Sequence, residues 1–323
     1  MPYEPPFQTN AEIDALCMEI AELVGAFTAA SGLSTSPRLH RKLRIRTIRS
    51  SLMIEGNTLS EEAVTAIIDG KRVLGPKRDI IEVKNAQRAY DLMESLDPAN
   101  IDDLLRTHGV MMDKLVETPG VFRSKNAGVF DGEVLIHAGT PARYVAKVVG
   151  DLFKWLKSTK LHPLVASCVF HYEFEFIHPF ADGNGRVGRL WHTLILSRWR
   201  APLAWLPVES IILDRQQGYY AAFVKSEAQG SCEYFVAFML RAIRDALLLY
   251  MSGGDEIGLR QERALAYFAE NPKARVDDLA SYLGCSKRSA ERTVALLKAS
   301  GKLVRQGSSR AGTWEVVGEK GTE

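Results

Sequence analysis

A polar segment between two apolar stretches imposes the strongest constraint on how this 323-residue chain folds. Residues 178–189 have the sequence HPFADGNGRVGR. Residues 161–177 before them are apolar at helical spacing, and Pro179 should end that helix because proline lacks an N–H donor and disfavours the α conformation in its predecessor. Residues 187–199 are again apolar and periodic. We therefore predict two helices joined by a tight loop at residues 182–185.

The chemistry of this loop points to phosphate. Gly183 and Gly185 permit a positive φ and close backbone approach, and the free amides and dipole of the following helix favour an anion. Arg186 and Arg189 stand three apart on one helix face, where planar guanidinium groups can hold adjacent phosphates. The sequence therefore predicts a phosphate site at the start of the second helix. The alternative is a basic helix start that only holds a structural loop.

Two further side chains add chemistry to this site. Phosphate alone would repel the Asp182 carboxylate, so we expect a hard cation such as Mg²⁺ between them. His178 lies at the edge of the site, and histidine is the side chain whose unperturbed pKa suits a general base near neutral pH.

The whole segment resembles the signature of the Fic (filamentation induced by cAMP) family, His-x-Phe-x-Asp/Glu-Gly-Asn-Gly-Arg-x-x-Arg, at every defining position. The resemblance implies transfer of a nucleoside monophosphate, usually AMP from ATP, to a Ser, Thr or Tyr hydroxyl of a target protein. By this resemblance His178 would be the catalytic base, Asp182 would hold Mg²⁺ and Phe180 would anchor the loop. The implied phosphate-binding residues are Gly183, Asn184, Gly185, Arg186 and Arg189, the last at the γ-phosphate. Other donors, such as UTP or CDP-choline, remain alternatives. Asp182 and the intact glycine loop fit the AMP-transferring branch better than the kinase-like branch, which carries a lysine at the position of Gly185.

A second notable group lies upstream, at the end of a helix predicted over residues 39–54. Gly56 suits the position after the helix end, whereas a carboxylate at Glu55 opposes the helix dipole. Local violations of this kind often mark functional positions. Neutralisation by the nearby Arg49 is the alternative explanation.

The same residues resemble the inhibitory motif of Fic proteins, Ser/Thr-x-x-x-Glu-Gly/Asn, with Ser51, Glu55 and Gly56 at the matching positions. The motif lies N-terminal to the core, as in the second class of the family. The resemblance implies that Glu55 pairs with Arg189 and prevents productive ATP binding. Some relatives use this glutamate to direct water for removal of AMP, and the sequence leaves that role open.

Helix signals dominate the rest of the chain, so we predict a mainly α fold. Residues 120–144 are the exception, because apolar and polar residues alternate around Asp131-Gly132, a favoured hairpin turn. This hairpin is either a solvent-exposed ornament or, by the resemblance, a flap centred on residues 127–140. A flap would align the target segment by strand addition. Farther on, Tyr219 and Tyr220 are either core aromatic residues or, by the resemblance, contacts for the nucleotide.

The chain divides into four predicted parts: an N-terminal helical region at 1–98 with the inhibitory helix at about 39–55, a Fic catalytic core at 99–250, a linker at 251–259 and a C-terminal domain at 260–323. Within the last part we predict helices at 262–270, 276–283 and 286–300, and strands at 303–304 and 313–317. Three helices followed by a hairpin resemble the winged helix-turn-helix domains appended to Fic proteins.

Positive charge is concentrated in this last part of the chain. Residues 260–323 contain 12 Lys or Arg against 8 Asp or Glu, whereas the rest contains 29 against 31. The candidate DNA contacts are Lys287, Arg288, Arg292, Arg305 and Arg310. The second functional hypothesis is accordingly a DNA-binding regulator whose core senses nucleotide. A winged helix can equally dock a protein or a second subunit.

Composition and the termini predict a cytoplasmic protein without a membrane partner. No apolar run has membrane-spanning length, and the first residues lack the basic and apolar regions of a signal peptide. The four cysteines, at positions 17, 168, 232 and 285, are scattered singly, which indicates neither a disulfide framework nor a zinc site. A homodimer is a further expectation.

Overall fold

The computed structural model describes residues 3–30, 37–131, 134–251, 256–307 and 312–317. These residues belong to two units, Met1–Ala246 and Leu247–Glu323. The predicted mainly α fold is confirmed. No helix in the described ranges is both long enough and apolar enough to cross a membrane.

The first unit contains helices and a single described hairpin. Its helices are α1 (Ala11–Ala30), α2 (Pro37–Ile54), α3 (Glu61–Ile68), α4 (Lys77–Asp91), α5 (Ile101–Met111), α6 (Ala142–Ser158), α7 (Pro163–Ile177), α8 (Asn184–Trp199), α9 (Val208–Asp214), α10 (Gln216–Gln229) and α11 (Glu233–Met251), the last extending into the second unit. Short 3-10 turns occur at Met93–Ser95 and Ala201–Trp205.

The centre of this unit is the pair α7 and α8, which flank the polar segment. Almost every residue of α7 is buried, including polar ones such as Ser167 and His171, so the helix lacks a solvated face. α7 ends at Ile177, as predicted. α8 begins at Asn184, three residues earlier than its apolar pattern indicates. The first turn of a helix does not need apolar periodicity, and Gly183 supplies the left-handed residue before it, with φ of 85°.

The predicted hairpin is present as β1 (Gly128–Asp131) and β2 (Val134–Ala138). The strands are antiparallel, with Gly128 opposite Ala138 and Asp131 opposite Val134. Gly132 of the predicted turn lies outside the described residues. The chain before the hairpin is attached to the polar segment, because Arg123 N donates to Pro179 O at 3.0 Å.

The second unit contains the remaining elements in the predicted order: α12 (Glu256–Glu270), α13 (Val276–Leu283), α14 (Lys287–Ala299), β3 (Leu303–Gln306) and β4 (Thr313–Val316). α12 begins earlier than the predicted residue 262. β3 and β4 form an antiparallel pair with Leu303 opposite Val316. Phe268, Leu297 and Trp314 belong to the apolar core that joins these helices to the sheet.

Candidate active site

The polar segment forms a turn that buried side-chain contacts stabilise. His178 ends α7 in the left-handed region, with φ of 51° and ψ of 62°. Phe180 is fully buried and stacks on His108 with ring centroids 3.7 Å apart. The Asn184 side chain accepts from Phe180 N at 2.8 Å and donates to Phe180 O at 2.9 Å. Asn184 is predicted as a phosphate contact, but its side chain is occupied in holding the turn, which leaves its backbone N–H for a ligand.

The turn delivers the N-terminus of α8 to the site. The first N–H groups of a helix have no partner within the helix and attract anions. The predicted loop at residues 182–185 is therefore shorter in the structure, and part of it supplies the first helical amides. Gly185 lies within α8 and has no positive φ, so of the two glycines only Gly183 uses the left-handed region that both permit. Its lack of a side chain matters for space: a Cβ there would clash with Oε1 of Glu55 and lie 2.9 Å from Nη1 of Arg189.

Asp182 is bound by two arginines. Its Oδ1 accepts from Arg186 Nη2 at 2.7 Å, and its Oδ2 accepts from Arg78 Nη2 at 2.9 Å. Burial opposes ionisation of Asp182, but the positive charge of Arg186, together with Gly183 N–H and Arg78, lowers its pKa overall. The carboxylate is therefore ionised at neutral pH, and 38 % of its side chain is exposed.

This donor set fits a Mg²⁺ ion that takes most of its ligands from a nucleotide. Mg²⁺ is usually bound by one or two carboxylates plus phosphate oxygens and water. In the parts of the chain that the structure describes, no group of three or more His, Cys, Asp or Glu side chains could hold a metal. A single accessible carboxylate beside an anion-binding helix end is consistent with the phosphate-dependent arrangement.

Arg186 is buried between two carboxylates. Besides Asp182, it contacts Glu82 of α4, whose Oε1 accepts from Arg186 Nη1 at 3.1 Å. Glu82 also accepts from Asn57 Nδ2 at 2.9 Å and lies 3.3 Å from Arg78 Nε. The segment just after α2 and the helix α4 are thus connected to the phosphate loop by one network of charges.

Arg189 is held by the end of α2. Its Nη2 donates to Glu55 Oε1 at 2.8 Å and to the backbone oxygen of Ser51 at 2.9 Å, and its Nε donates to Ser51 Oγ at 3.0 Å. Burial alone would lower the pKa of Arg189, but the adjacent Glu55 carboxylate raises it above the ordinary value. Gly56 follows with φ of 89°, as expected after a helix end. Arg49, the alternative partner of Glu55, instead lies 3.9 Å from Glu61.

A buried polar layer lies beneath Arg189. Burial raises the pKa of Glu175 to about 8; the Arg189 charge opposes this shift and the Glu55 charge adds to it. Tyr219 is buried, and its hydroxyl lies 3.2 Å from His171 Nε2. Tyr220 remains 43 % exposed. Of the two tyrosines proposed for the nucleotide, Tyr220 is therefore the accessible one.

The end of the hairpin packs against the turn that carries His178. A Cβ at Gly139, just past β2, would lie 3.2 Å from the Cβ of His178. The predicted flap residues 127–140 therefore end against the proposed base. Arg123 connects the two with hydrogen bonds to the backbone oxygens of His178, at 2.6 Å, and Thr140.

Sequence reasoning missed four side chains that complete the site: Arg78, Glu82, Arg123 and His108. None of them belongs to a local motif. Their roles depend on contacts across 55 to 104 sequence positions, between Arg123 and His178 and between Glu82 and Arg186. Asn57, which connects to Glu82, does follow the recognised Glu55-Gly56 pair directly.

The candidate DNA contacts belong to the second unit. Lys287, Arg288 and Arg292 are exposed on α14, and Lys287 Nζ lies 2.9 Å from Asp277 Oδ1. The Arg305 guanidinium lies over the Trp314 ring at 4.4 Å from its centroid. Arg310 lies outside the described residues.

Comparison with known proteins identifies relatives of the site and of the fold. The Fic/DOC family profile matches residues 98–196. The chain is 26 % identical over 252 residues to the protein adenylyltransferase Fic of Nematostella vectensis, covering 73 % of this chain and 56 % of the relative. It is 29 % identical over 198 residues to the protein adenylyltransferase fic-1 of Caenorhabditis elegans, covering 57 % of this chain and 37 % of the relative. The chain thus spans about half or less of the length of these curated relatives.

Solved structures extend the comparison to the whole chain. The crystal structure of a Fic family protein from Desulfovibrio desulfuricans G20 is similar over 99 % of this chain and 100 % of that one, with 42 % identity and a TM-score of 0.76. The structure of Fic-1 from C. elegans shares the fold at 22 % identity and a TM-score of 0.61, covering 75 % of this chain and 73 % of that one. The chain belongs to the Fic/DOC family.

Proposed function

We propose that this protein is a magnesium-dependent adenylyltransferase that transfers AMP from ATP to a Ser, Thr or Tyr hydroxyl of a target protein. The observation that carries the proposal is the meeting of His178, Asp182 and two buried arginines at the N-terminus of α8. A protein that only senses nucleotide would need the phosphate loop but no general base. The relation to protein adenylyltransferases supports the same chemistry.

Each residue has a distinct role in this proposal. His178 accepts the proton of the target hydroxyl as the hydroxyl oxygen bonds to the α-phosphorus, and the bond from the α-phosphorus to the bridging oxygen breaks so that pyrophosphate leaves. The backbone of Gly183, Asn184 and Gly185, with Arg186, binds the phosphates, and Arg189 binds the γ-phosphate so that the leaving group is in line. Mg²⁺ held by Asp182 would neutralise charge on the phosphate oxygens. Tyr220 is the accessible candidate for a contact with the nucleoside.

We further propose that the protein is self-inhibited, with α2 as the inhibitory helix. The contacts of Glu55 and Ser51 with Arg189 support this, because they occupy donors that the γ-phosphate needs. ATP binds productively once Glu55 leaves. The same glutamate is also placed near the phosphate loop, beside Gly185, where it could direct water for removal of AMP from a modified target.

Mass spectrometry of the Glu55→Gly variant after exposure to ATP and Mg²⁺ tests reaction and donor together. We expect an added AMP on the chain itself or on an added protein, lost in Glu55→Gly/His178→Ala. An added nucleotide from UTP but not from ATP would identify another donor. No adduct from any nucleotide, in a protein that still binds ATP, would contradict the transferase proposal.

A second function, DNA binding, is favoured by the exposed side chains of Lys287, Arg288 and Arg292 on α14 and by the net positive charge of residues 260–323. In this proposal α13 and α14 form a helix-turn-helix, α14 enters the major groove and the β3–β4 hairpin is the wing. Salt-dependent gel shifts test it, since phosphate contacts weaken as salt rises. Absence of a shift on duplexes of varied sequence at low salt would contradict it.

A further inference from the structure

One buried arginine binds both ends of the hairpin and the turn that carries His178. The Arg123 side chain donates to Lys125 O at 2.9 Å, before β1, and to Thr140 O, after β2. It also donates to His178 O at 2.6 Å and to Ile177 O at 3.2 Å. Only 6 % of the residue is exposed.

The turn that Arg123 holds is in a conformation that needs support. His178 has φ of 51°, in the left-handed region that residues other than glycine seldom adopt and that persists only when the surroundings hold it. The last carbonyls of α7 also lack partners within the helix. Arg123 supplies donors to two of these oxygens, and its own N–H donates to Pro179 O at 3.0 Å. The backbone on both sides of the imidazole is therefore fixed by one residue.

The hairpin is packed against this turn without a spacer. A Cβ at Gly139 would lie 3.0 Å from Ala127 O, 3.1 Å from Arg123 Nη2 and 3.2 Å from the Cβ of His178. A displacement of the strand ends therefore reaches the base residue directly, by packing and through the shared guanidinium.

The chemistry of this contact requires arginine. The Arg123 side chain donates to four backbone oxygens, two at the ends of the hairpin and two at the end of α7. No carboxylate pairs with Arg123 among the residues that the structure describes. A guanidinium offers five N–H donors in a rigid fork, whereas a lysine ammonium offers three donors at one point. A lysine at position 123 would keep the positive charge but could not hydrogen-bond to the hairpin ends and the end of α7 together.

We propose that Arg123 is a positioning residue that couples the hairpin to His178, so that docking of a target segment on the hairpin also orients the base. This inference rests on the proposed transferase function. A target strand added to the hairpin further restricts the movement of its ends, and Arg123 transmits that restriction to the backbone of residues 177 and 178. Loss of the coupling should slow transfer without weakening ATP binding.

The test compares Arg123→Lys with Arg198→Lys, both in the Glu55→Gly protein. Arg198 is a matched control because it also donates to backbone oxygens, those of Met93, Glu94 and Leu96, at the opposite end of α8. We measure self-modification with labelled ATP. Arg123→Lys should lower the rate at saturating ATP about 10- to 100-fold and leave the half-saturating ATP concentration unchanged. Arg198→Lys should leave both unchanged. Gly139→Ala, which crowds the same junction, should reproduce the effect of Arg123→Lys.

Hydrogen exchange provides a readout that does not depend on activity. Amides of residues 125–140 and 177–180 should exchange faster together in Arg123→Lys and remain as in the parent in Arg198→Lys. Unchanged exchange in either segment, or an equal loss of rate in Arg198→Lys, would overturn the coupling. If Glu55→Gly transfers no nucleotide at all, the transferase proposal fails, and the exchange experiment still decides whether Arg123 connects the two segments.

Discussion

Oε1 of Glu55 lies 2.8 Å from Nη2 of Arg189, although 134 positions separate the two residues. Ser51, one helical turn earlier, accepts from the same guanidinium through both its hydroxyl and its backbone oxygen. Arg189 is 2 % exposed and Glu55 is more accessible, with 26 % of its side chain exposed. The arginine is therefore fixed in place, and the glutamate is the partner that can leave. This difference makes Glu55 the movable half of the contact.

Glu55→Gly should raise AMP transfer. One charge-assisted hydrogen bond contributes about 1.5–3 kcal/mol, so releasing Arg189 should increase productive ATP binding about 10- to 100-fold. The measurement is self-modification with labelled ATP and Mg²⁺. Glu61→Gly is the matched control, because Glu61 is also near α2 but lies beside Arg49. Equal activity of Glu55→Gly and the parent protein would contradict the inhibitory role.

The two halves of this contact could be predicted because each lies in a contiguous motif, at residues 51–56 and 178–189. Arg78 and Glu82 could not. They lie on α4 with the spacing of an ordinary surface ion pair, and only the folded chain places Glu82 against Arg186. The apolar pattern also places the start of α8 too late, because its first turn contains Asn184 and Gly185, which carry no apolar signal. Contacts between distant segments and helix first turns are not encoded in local periodicity.

The close approach of Glu55 to α8 can be tested without an activity assay. In Gly185→Ala the new Cβ would clash with Glu55 and Arg189, and overpacking of this kind typically costs about 1–3 kcal/mol. The cost should be smaller in the Glu55→Gly background, where one clashing group is gone. Urea unfolding of the parent, Gly185→Ala, Glu55→Gly and the double variant measures this cost in free energy of unfolding.

Gly75→Ala is the control for that experiment, because its Cβ would lie 2.9 Å from Cδ2 of Leu59 rather than near Glu55. Its cost should be the same in both backgrounds. Additive effects of Gly185→Ala and Glu55→Gly would show that Glu55 does not occupy the space above Gly185.

His178→Ala in the Glu55→Gly protein should abolish transfer and preserve ATP binding. The imidazole is the proposed base, whereas Phe180 and Asn184 hold the turn by contacts that do not involve the His178 ring. Isothermal titration with ATP and Mg²⁺ measures binding, and labelled ATP measures transfer. Substantial residual transfer would assign the base elsewhere.

The second unit gives a separate prediction about DNA. If α14 binds a duplex, Arg288→Ala should weaken binding and reduce the slope of log affinity against log salt by about 1 for a lost phosphate contact. Lys273→Ala is the matched control, since Lys273 is an exposed cation of the same unit between α12 and α13. The same loss in both variants would indicate attraction by net charge without a defined groove contact.

The buried carboxyl of Glu175 should make stability depend on pH. Glutamate in an unfolded chain titrates near 4.3, whereas burial raises the pKa of Glu175 to about 8. Between about pH 4.3 and 8 the folded protein therefore binds more protons than the unfolded chain, so the free energy of unfolding falls as pH rises through this window. Glu175→Gln should reduce this pH-dependent fall in the free energy of unfolding. Some of it should remain, because burial also raises the pKa of Glu209 to about 7.

Urea unfolding at several pH values measures this dependence, with the exposed Glu117→Gln as control. The Glu55→Gly protein adds a sharper comparison. The Glu55 charge raises the pKa of Glu175, so removal of the Glu55 carboxylate should lower that pKa. The free energy of unfolding should then stop falling at a lower pH than in the parent protein. The contact between Glu55 and Arg189 and the protonation of Glu175 would then be linked, so that ionisation of Glu175 at high pH favours departure of Glu55 from Arg189. Parallel stability curves for the parent, Glu55→Gly and Glu175→Gln proteins would exclude that linkage.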